Sequence, residues 1–233
     1  MEAALISDAR LARADGQRRT VRYGKGSRFI DIQLPCGGGV ELLVDPAPGK
    51  AAIAEALTKL GRREAVQLEI KVSEGPSFTC DYHPDLRMLL FGHGPEVPAL
   101  SRLAKSWGCS VEVFEPMGGE KPSAHLSLGQ APVEIAVDPY TAVILLFHDH
   151  EWEDAILEWA LRSEAFYVGA LGGHKAVTRR SAVLEARGLN DGEISRLHGP
   201  VGLIPAAKDA PMLAISILAE VTQAYGHLCG RLL

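Results

Sequence analysis

The 233-residue chain sets 24 Lys and Arg against 29 Asp and Glu, a formal net charge of −5, with 47% hydrophobic and 23% charged residues. This balance belongs to a globular chain rather than a disordered one, and it offers no basic surface for a nucleic-acid backbone or an anionic membrane. No apolar run approaches the ~18 residues of a membrane span, and Met1-Glu2-Ala3-Ala4 lacks the regions of a secretory leader. A cytoplasmic location without nucleic-acid or membrane partners is expected.

In chain order, a polar helix is expected over Ser7 to Asp15, then strands at Thr20–Tyr23, Phe29–Ile32 and Val40–Val44, whose partial period-two alternation suits half-buried strands. A helix from Lys50 to Leu60 carries Ile53, Leu57 and Leu60 on one stripe, and a strand runs through Ala65–Ile70. Together they read as a small α+β domain, residues 1–82, closed by the linker Tyr82-His83-Pro84-Asp85.

From residue 83 to 233 strands alternate with helices, the mark of a parallel sheet. Met88–Phe91 is a wholly apolar strand. A helix over Glu96–Trp107 stops at Gly108, a residue suited to the position after a helix end. Further strands are expected at Val111–Phe114, Val143–Phe147 and Phe166–Val168, and helices at Glu151–Arg162, Ala176–Arg187 and Met212–Tyr225. Leu213, Ile217, Leu218 and Val221 form the core stripe of the last helix. The expected fold class is therefore α/β: a C-terminal Rossmann-like parallel sheet with helices on both faces, preceded by a small α+β N-terminal domain.

Three loops could meet a ligand. In Gly92-His93-Gly94-Pro95-Glu96-Val97, Gly92 permits the turn and Gly94 lets a phosphate approach a helix N-terminus, although Val97 replaces the third glycine of the dinucleotide fingerprint. Glu115 closes the next strand, 21 residues after Gly94, where an acid binds ribose hydroxyls. The competing reading is a tight turn without a ligand. In Phe147-His148-Asp149-His150, imidazoles and carboxylates at a strand end suit metal ligation or proton transfer, while Asp149 equally suits a helix cap. Gly172-Gly173-His174-Lys175, leading into a helix with Arg179 and Arg180, reads either as an anion cradle or as a solvated basic face.

The four cysteines form no C-x-x-C pair and read as reduced thiols. Cys80, Cys109 and Cys229 suit small apolar fillers, whereas Cys36 in Pro35-Cys36-Gly37-Gly38-Gly39 is open to approach. No G-x-S-x-G elbow or Walker lysine motif appears.

Four stretches, in order, resemble the XdhC/CoxI family of xanthine dehydrogenase accessory factors. They are Leu34-Pro35-Cys36-Gly37-Gly38; Leu90-Phe91-Gly92-His93-Gly94; Thr141 to His150 with Asp154; and Val168-Gly169-Ala170-Leu171-Gly172 through His198-Gly199-Pro200-Val201-Gly202-Leu203 to Ala214–Glu220. The resemblance implies a molybdenum-cofactor chaperone. Such a protein holds the molybdopterin-type cofactor during sulfuration by a cysteine desulfurase and passes it to a molybdenum hydroxylase, and a homodimer is expected. On its matching stretches the resemblance implies cofactor binding by Cys36, Gly37, Gly38, Gly92, His93, Gly94, His148, Asp149, His150 and Gly172, with the Cys36 thiol approaching the metal, and the loop readings above add Glu115, Gly173, Lys175 and Arg179 to the expected cofactor-binding residues.

The family's Gly-Ser-Arg-Arg is here Gly172-Gly173-His174-Lys175, and the acid it places ahead of Ile-Ala-x-Ser-Ile is Met212. Its earlier Gly-Ser-x-Pro and Gly-Gly-Cys-x-Glu segments have no counterpart in the chain, which implies a short variant or a domain completed by dimerisation. The alternatives are an NAD(P)-dependent oxidoreductase, which Glu115 and the first glycine loop permit, and a ligand-free docking factor for the hydroxylase or desulfurase.

Overall fold

Along two neighbouring apolar strands, Met88, Leu90, Ala142 and Ile144 fall in one core cluster while Leu89, Phe91, Val143 and Leu145 fall in the other. Period-two alternation in strands buried on both faces produces this split, because each face needs its own layer of helices. The computed structural model describes residues 1–27, 34–71, 77–116 and 126–232, and the chain divides into two units, Met1–Pro84 and Asp85–Leu233.

In the first unit, α1 (Glu2–Asp15) precedes β1 (Arg19–Gly24), which pairs antiparallel with β2 (Gly39–Val44). Helix α2 (Lys50–Gly61) leads to β3 (Val66–Ile70), antiparallel to β4 (Phe78–Tyr82). The expected strand at Phe29–Ile32 lies outside the described residues. Strand β4, which the sequence reading does not assign, ends on Tyr82, the first residue of the expected linker; β3 supplies the ladder that its own mixed composition does not advertise. On α2 only Ala56 is buried, and Ile53 and Leu57 of the expected stripe are exposed.

In the second unit, β5 (Arg87–Gly92), α3 (Glu96–Trp107), β6 (Ser110–Phe114), β7 (Thr141–Leu146), α4 (Glu153–Arg162), β8 (Tyr167–Ala170), α5 (His174–Ala186), α6 (Asp191–Ile194), β9 (Leu197–His198) and α7 (Ala210–Leu228) follow in order. The sheet order is β6-β5-β7-β8-β9, and every pairing is parallel. Val97, Leu100 and Ala104 of α3 and Leu213, Ile217, Leu218 and Val221 of α7 cover one face. Ile156, Leu157, Ala160 and Leu161 of α4 with Leu184 of α5 cover the other. The Rossmann-like α/β arrangement expected from the sequence is the one observed, and the core stripe of α7 is buried as expected. Gly108 ends α3 in the left-handed region at φ 101°. The helix expected from Glu151 begins instead as a 3-10 turn, His150–Trp152, before α4.

Candidate functional site

Strands β6 and β7 lie on opposite sides of β5. The chain therefore reverses direction across the sheet at β5, and ligands of open α/β sheets sit outside the carboxyl ends at such a point. Gly92 ends β5, Glu115 follows β6, His148–His150 follow β7 and Gly172–Lys175 follow β8. The sequence-derived candidates of this unit thus share the carboxyl edge of one sheet.

At the first loop, Gly92 has φ 155°, and a β-carbon there would stand 2.5 Å from the Leu146 carbonyl oxygen. The glycine is required by the close approach of β7. Beyond it, Glu96 turns its carboxylate back over the loop: a β-carbon on Gly94 would lie 2.9 Å from Oε2. Oε1 lies 3.5 Å from His148 Nε2, and Oε2 is buried without a hydrogen-bond partner among the described residues. A carboxylate at the first turn of α3 is favoured by the helix dipole, and it presents negative charge where a phosphate was expected. His93 is exposed, its ring 6.0 Å from that of Phe147. Glu115 is half-buried.

At the second loop, Asp149 accepts a hydrogen bond from the Glu151 N–H at 3.1 Å and so caps the 3-10 turn. His150 Nδ1 lies 2.9 Å from Glu153 Oε2. Glu153 is fully buried and meets the equally buried Arg180 in a two-pronged pair, Nε to Oε2 at 3.0 Å and Nη2 to Oε1 at 2.6 Å. Nη2 also donates to the Leu171 carbonyl. The third loop is thereby tied to the second through one guanidinium. Arg179, read in the sequence either as part of an anion cradle or as a solvated basic face, makes two 3.1 Å hydrogen bonds to Asp154. Gly173 and Lys175 are exposed.

Glu153 and Glu96 are not singled out as site residues in the sequence, and Arg180 enters there only as one reading of a basic helix face, not as a buried residue. A signal existed for Arg180, which in the helical frame of α5 falls on the same side as Ala176 and Leu184, the other buried residues of that helix.

A further cluster closes the sheet edge. His198 Nδ1 lies 3.2 Å from Glu220 Oε1, and the His198 ring stacks on Tyr167 at 4.2 Å. The Gly202 N–H donates to Glu220 Oε2. Burial works against ionisation of Glu220, but the contacts from His198 and the Gly202 N–H outweigh it and hold the carboxyl below its ordinary range. Burial pushes the Tyr167 phenol well above its ordinary range. The Pro-Val-Gly-Leu turn and the Ser-Ile-Leu-Ala-Glu helix thus lock onto each other: a β-carbon on Gly202 would strike Ser216 Oγ, which accepts the Ile204 N–H at 2.6 Å.

In the first unit, Leu34-Pro35-Cys36-Gly37 is a turn closed by the Gly37 N–H to the Leu34 carbonyl at 2.8 Å, with Gly37 at φ 69°. Pro35 fixes the second position and Cys36 stands exposed at the third. Among the described residues no group of three or more His, Cys, Asp or Glu is arranged to hold a metal. No described helix is long and apolar enough to cross a membrane.

A parallel sheet whose loops gather at the carboxyl edge around a direction reversal defines a Rossmann-type domain. Residues 88–221 match the family described as the XdhC Rossmann domain, and the chain belongs to the XdhC family. It is 31% identical to the "Molybdenum cofactor insertion chaperone PaoD" of Escherichia coli (strain K12), over 97% of this chain and 72% of that protein. It is 26% identical to a probable xanthine dehydrogenase subunit of Bacillus subtilis (strain 168), over 60% of this chain and 43% of that one. A crystal structure titled as a xanthine dehydrogenase from Bacillus halodurans superposes with a TM-score of 0.68 at 25% identity, covering 96% of this chain and 80% of that one.

Proposed function

We propose that this protein binds molybdenum cofactor and delivers it to a molybdenum hydroxylase of the xanthine, aldehyde or carbon monoxide dehydrogenase type, shielding it while a cysteine desulfurase acts. The observation that carries this reading is the match along 97% of the chain to a relative named as a molybdenum cofactor insertion chaperone. Two structural features fit such a ligand. Cys36 offers an exposed thiol, a soft donor suited to a thiophilic metal. The carboxyl edge of the sheet offers glycine-lined backbone and an uncapped helix end for an anion. When bound, the cofactor supplies the metal centre and a phosphate ester. The chain's part is to hold the cofactor and to limit access of water.

A dinucleotide-dependent dehydrogenase is the weaker reading, because the Glu96 carboxylate repels a pyrophosphate at the β5 loop. The test is purification from molybdate-fed cells, followed by metal analysis and fluorescence assay of oxidised pterin. The proposal expects both with the wild type and reduced molybdenum with Cys36→Ser. Unchanged retention in Cys36→Ser would remove the thiol from the account, and hydride transfer from NADH to a small carbonyl would favour the dehydrogenase.

A further inference from the structure

The three loops at the carboxyl edge are not equivalent toward an anion. The β5 loop carries its own carboxylate, Glu96, beside Gly94. The turn after β7 is capped by Asp149, and His150 is held by Glu153. Helix α5 differs from both. It is 13 residues long, its N-cap is Gly173 with no side-chain cap, and its first turn holds no acid. The N–H groups of His174 and Lys175 therefore have no carbonyl partner within the helix, while that of Ala176 already bonds the Gly173 carbonyl, and no acid of the first turn offsets the positive end of the dipole.

Beneath this end lies a second, independent feature. Arg180 is wholly buried, yet its Nη1 has no hydrogen-bond partner among the described residues. The guanidinium lies against the loop: a β-carbon at Gly172 would stand 3.3 Å from Nη1 and 3.4 Å from Nη2. A buried guanidinium donor left without an acceptor is costly, and it becomes satisfied if an oxyanion docks where the loop backbone carries no side chain. At Gly172 a β-carbon would also stand 2.9 Å from the Ala176 β-carbon, whereas at the neighbouring Gly173 it would meet nothing within 4 Å, so the open side of the loop is at Gly173. Lys175, exposed in the first turn, adds a mobile cation.

We propose that the amino end of α5, over the guanidinium of Arg180, is a binding site for a dianionic phosphomonoester, and that the β5 glycine loop is not. The site deepens the proposed function, on which the identity of the natural ester rests. Its test needs only simple phosphates.

The experiment is calorimetric titration of the full chain with inorganic phosphate and with phenyl phosphate, for the wild type, Gly173→Asp and Glu96→Gln. Gly173 has extended backbone at φ −100°, which Asp adopts freely. The new carboxylate caps the helix and fills the site. Gly173→Asp is expected to keep or raise the thermal midpoint and to weaken both ligands by about tenfold or more. Glu96→Gln is expected to leave affinity within about twofold. Should Gly173→Asp lower the midpoint, the exposed Lys175→Glu serves for the same comparison.

Absence of binding to the wild type, unchanged affinity in the α5 variant, or a tenfold gain in Glu96→Gln would each overturn the proposal. So would binding of inorganic phosphate without the ester. Molybdenum and pterin found with the protein, together with any of those results, would sink this site and leave the proposed function standing.

Discussion

Arg180 and Glu153 form a buried ion pair, a poor device for stability because desolvating both charges offsets most of their attraction. The pair instead joins the loops after β7 and β8, through His150 on one side and the Leu171 carbonyl on the other. Arg180→Ala leaves Glu153 buried with its charge uncompensated and is expected to cost about 3–5 kcal/mol, read from urea denaturation. The double variant Glu153→Leu with Arg180→Met is expected to recover most of that loss, because replacing a buried pair with apolar side chains is often neutral. If the double variant is as unstable as the single one, the hydrogen bonds to His150 and the Leu171 carbonyl, and not charge compensation alone, carry the stability.

Glu220 carries a pH dependence. Its folded-state carboxyl titrates below its ordinary value of 4.5, burial being outweighed by the contacts from His198 and the Gly202 N–H. A group with a depressed folded pKa contributes stability above its unfolded pKa, and that contribution is lost as pH falls through the folded value. The thermal midpoint of the wild type is therefore expected to drop more steeply below about pH 4.5 than that of Glu220→Gln; parallel curves would contradict this.

The thiols separate in the same manner. Burial, aided by Asp85, pushes Cys109 up to about 11, whereas Cys36 is exposed on its turn. Alkylation near pH 8 followed by peptide mass analysis is expected to mark Cys36 first and Cys109 only after unfolding.

At the scale of elements, β5 and β7 set the geometry of the edge. Gly92 has no room for a β-carbon against Leu146, so Gly92→Ala is expected to destabilise by ~1–3 kcal/mol through forced separation of the two strands. A denaturation midpoint equal to wild type would show that β5 and β7 part at no cost.

The strands and helices most legible in the sequence were those with unbroken periodicity. Met88–Phe91, the α3 helix ending at Gly108 and the α7 stripe are examples, because burial on a fixed face imposes period two or 3.6 directly. Other elements were hidden for physical reasons. β9 is only Leu197–His198, too short to show alternation. β4 depends on β3 for its ladder. The α2 stripe had the right spacing, but Ile53 and Leu57 are exposed, since periodicity states which residues share a face and not whether that face is covered. The first turn of the 150s helix became a 3-10 turn under the Asp149 cap.

At the scale of the whole molecule, the gathering of Gly92, Glu115, His148 and Gly172 on one edge follows from parallel topology alone. Strand-end positions could therefore be read before any contact was known. Which loop suits an anion could not. That depends on where Glu96 folds back and on the burial of Arg180, and a charged residue in a helix reads as solvated until its neighbours are known. Arg179 and Arg180 are adjacent in sequence, but one is tied to Asp154 and the other lies beneath the loop.

If this chain holds molybdenum cofactor for transfer, as proposed, the protein purified from molybdate-fed cells carries molybdenum and pterin together, about one of each per chain. Both are then lost when a cofactor-free molybdenum hydroxylase is added and gains activity. Protein that carries neither, and that does not activate such an enzyme when supplied with cofactor, would contradict the proposal.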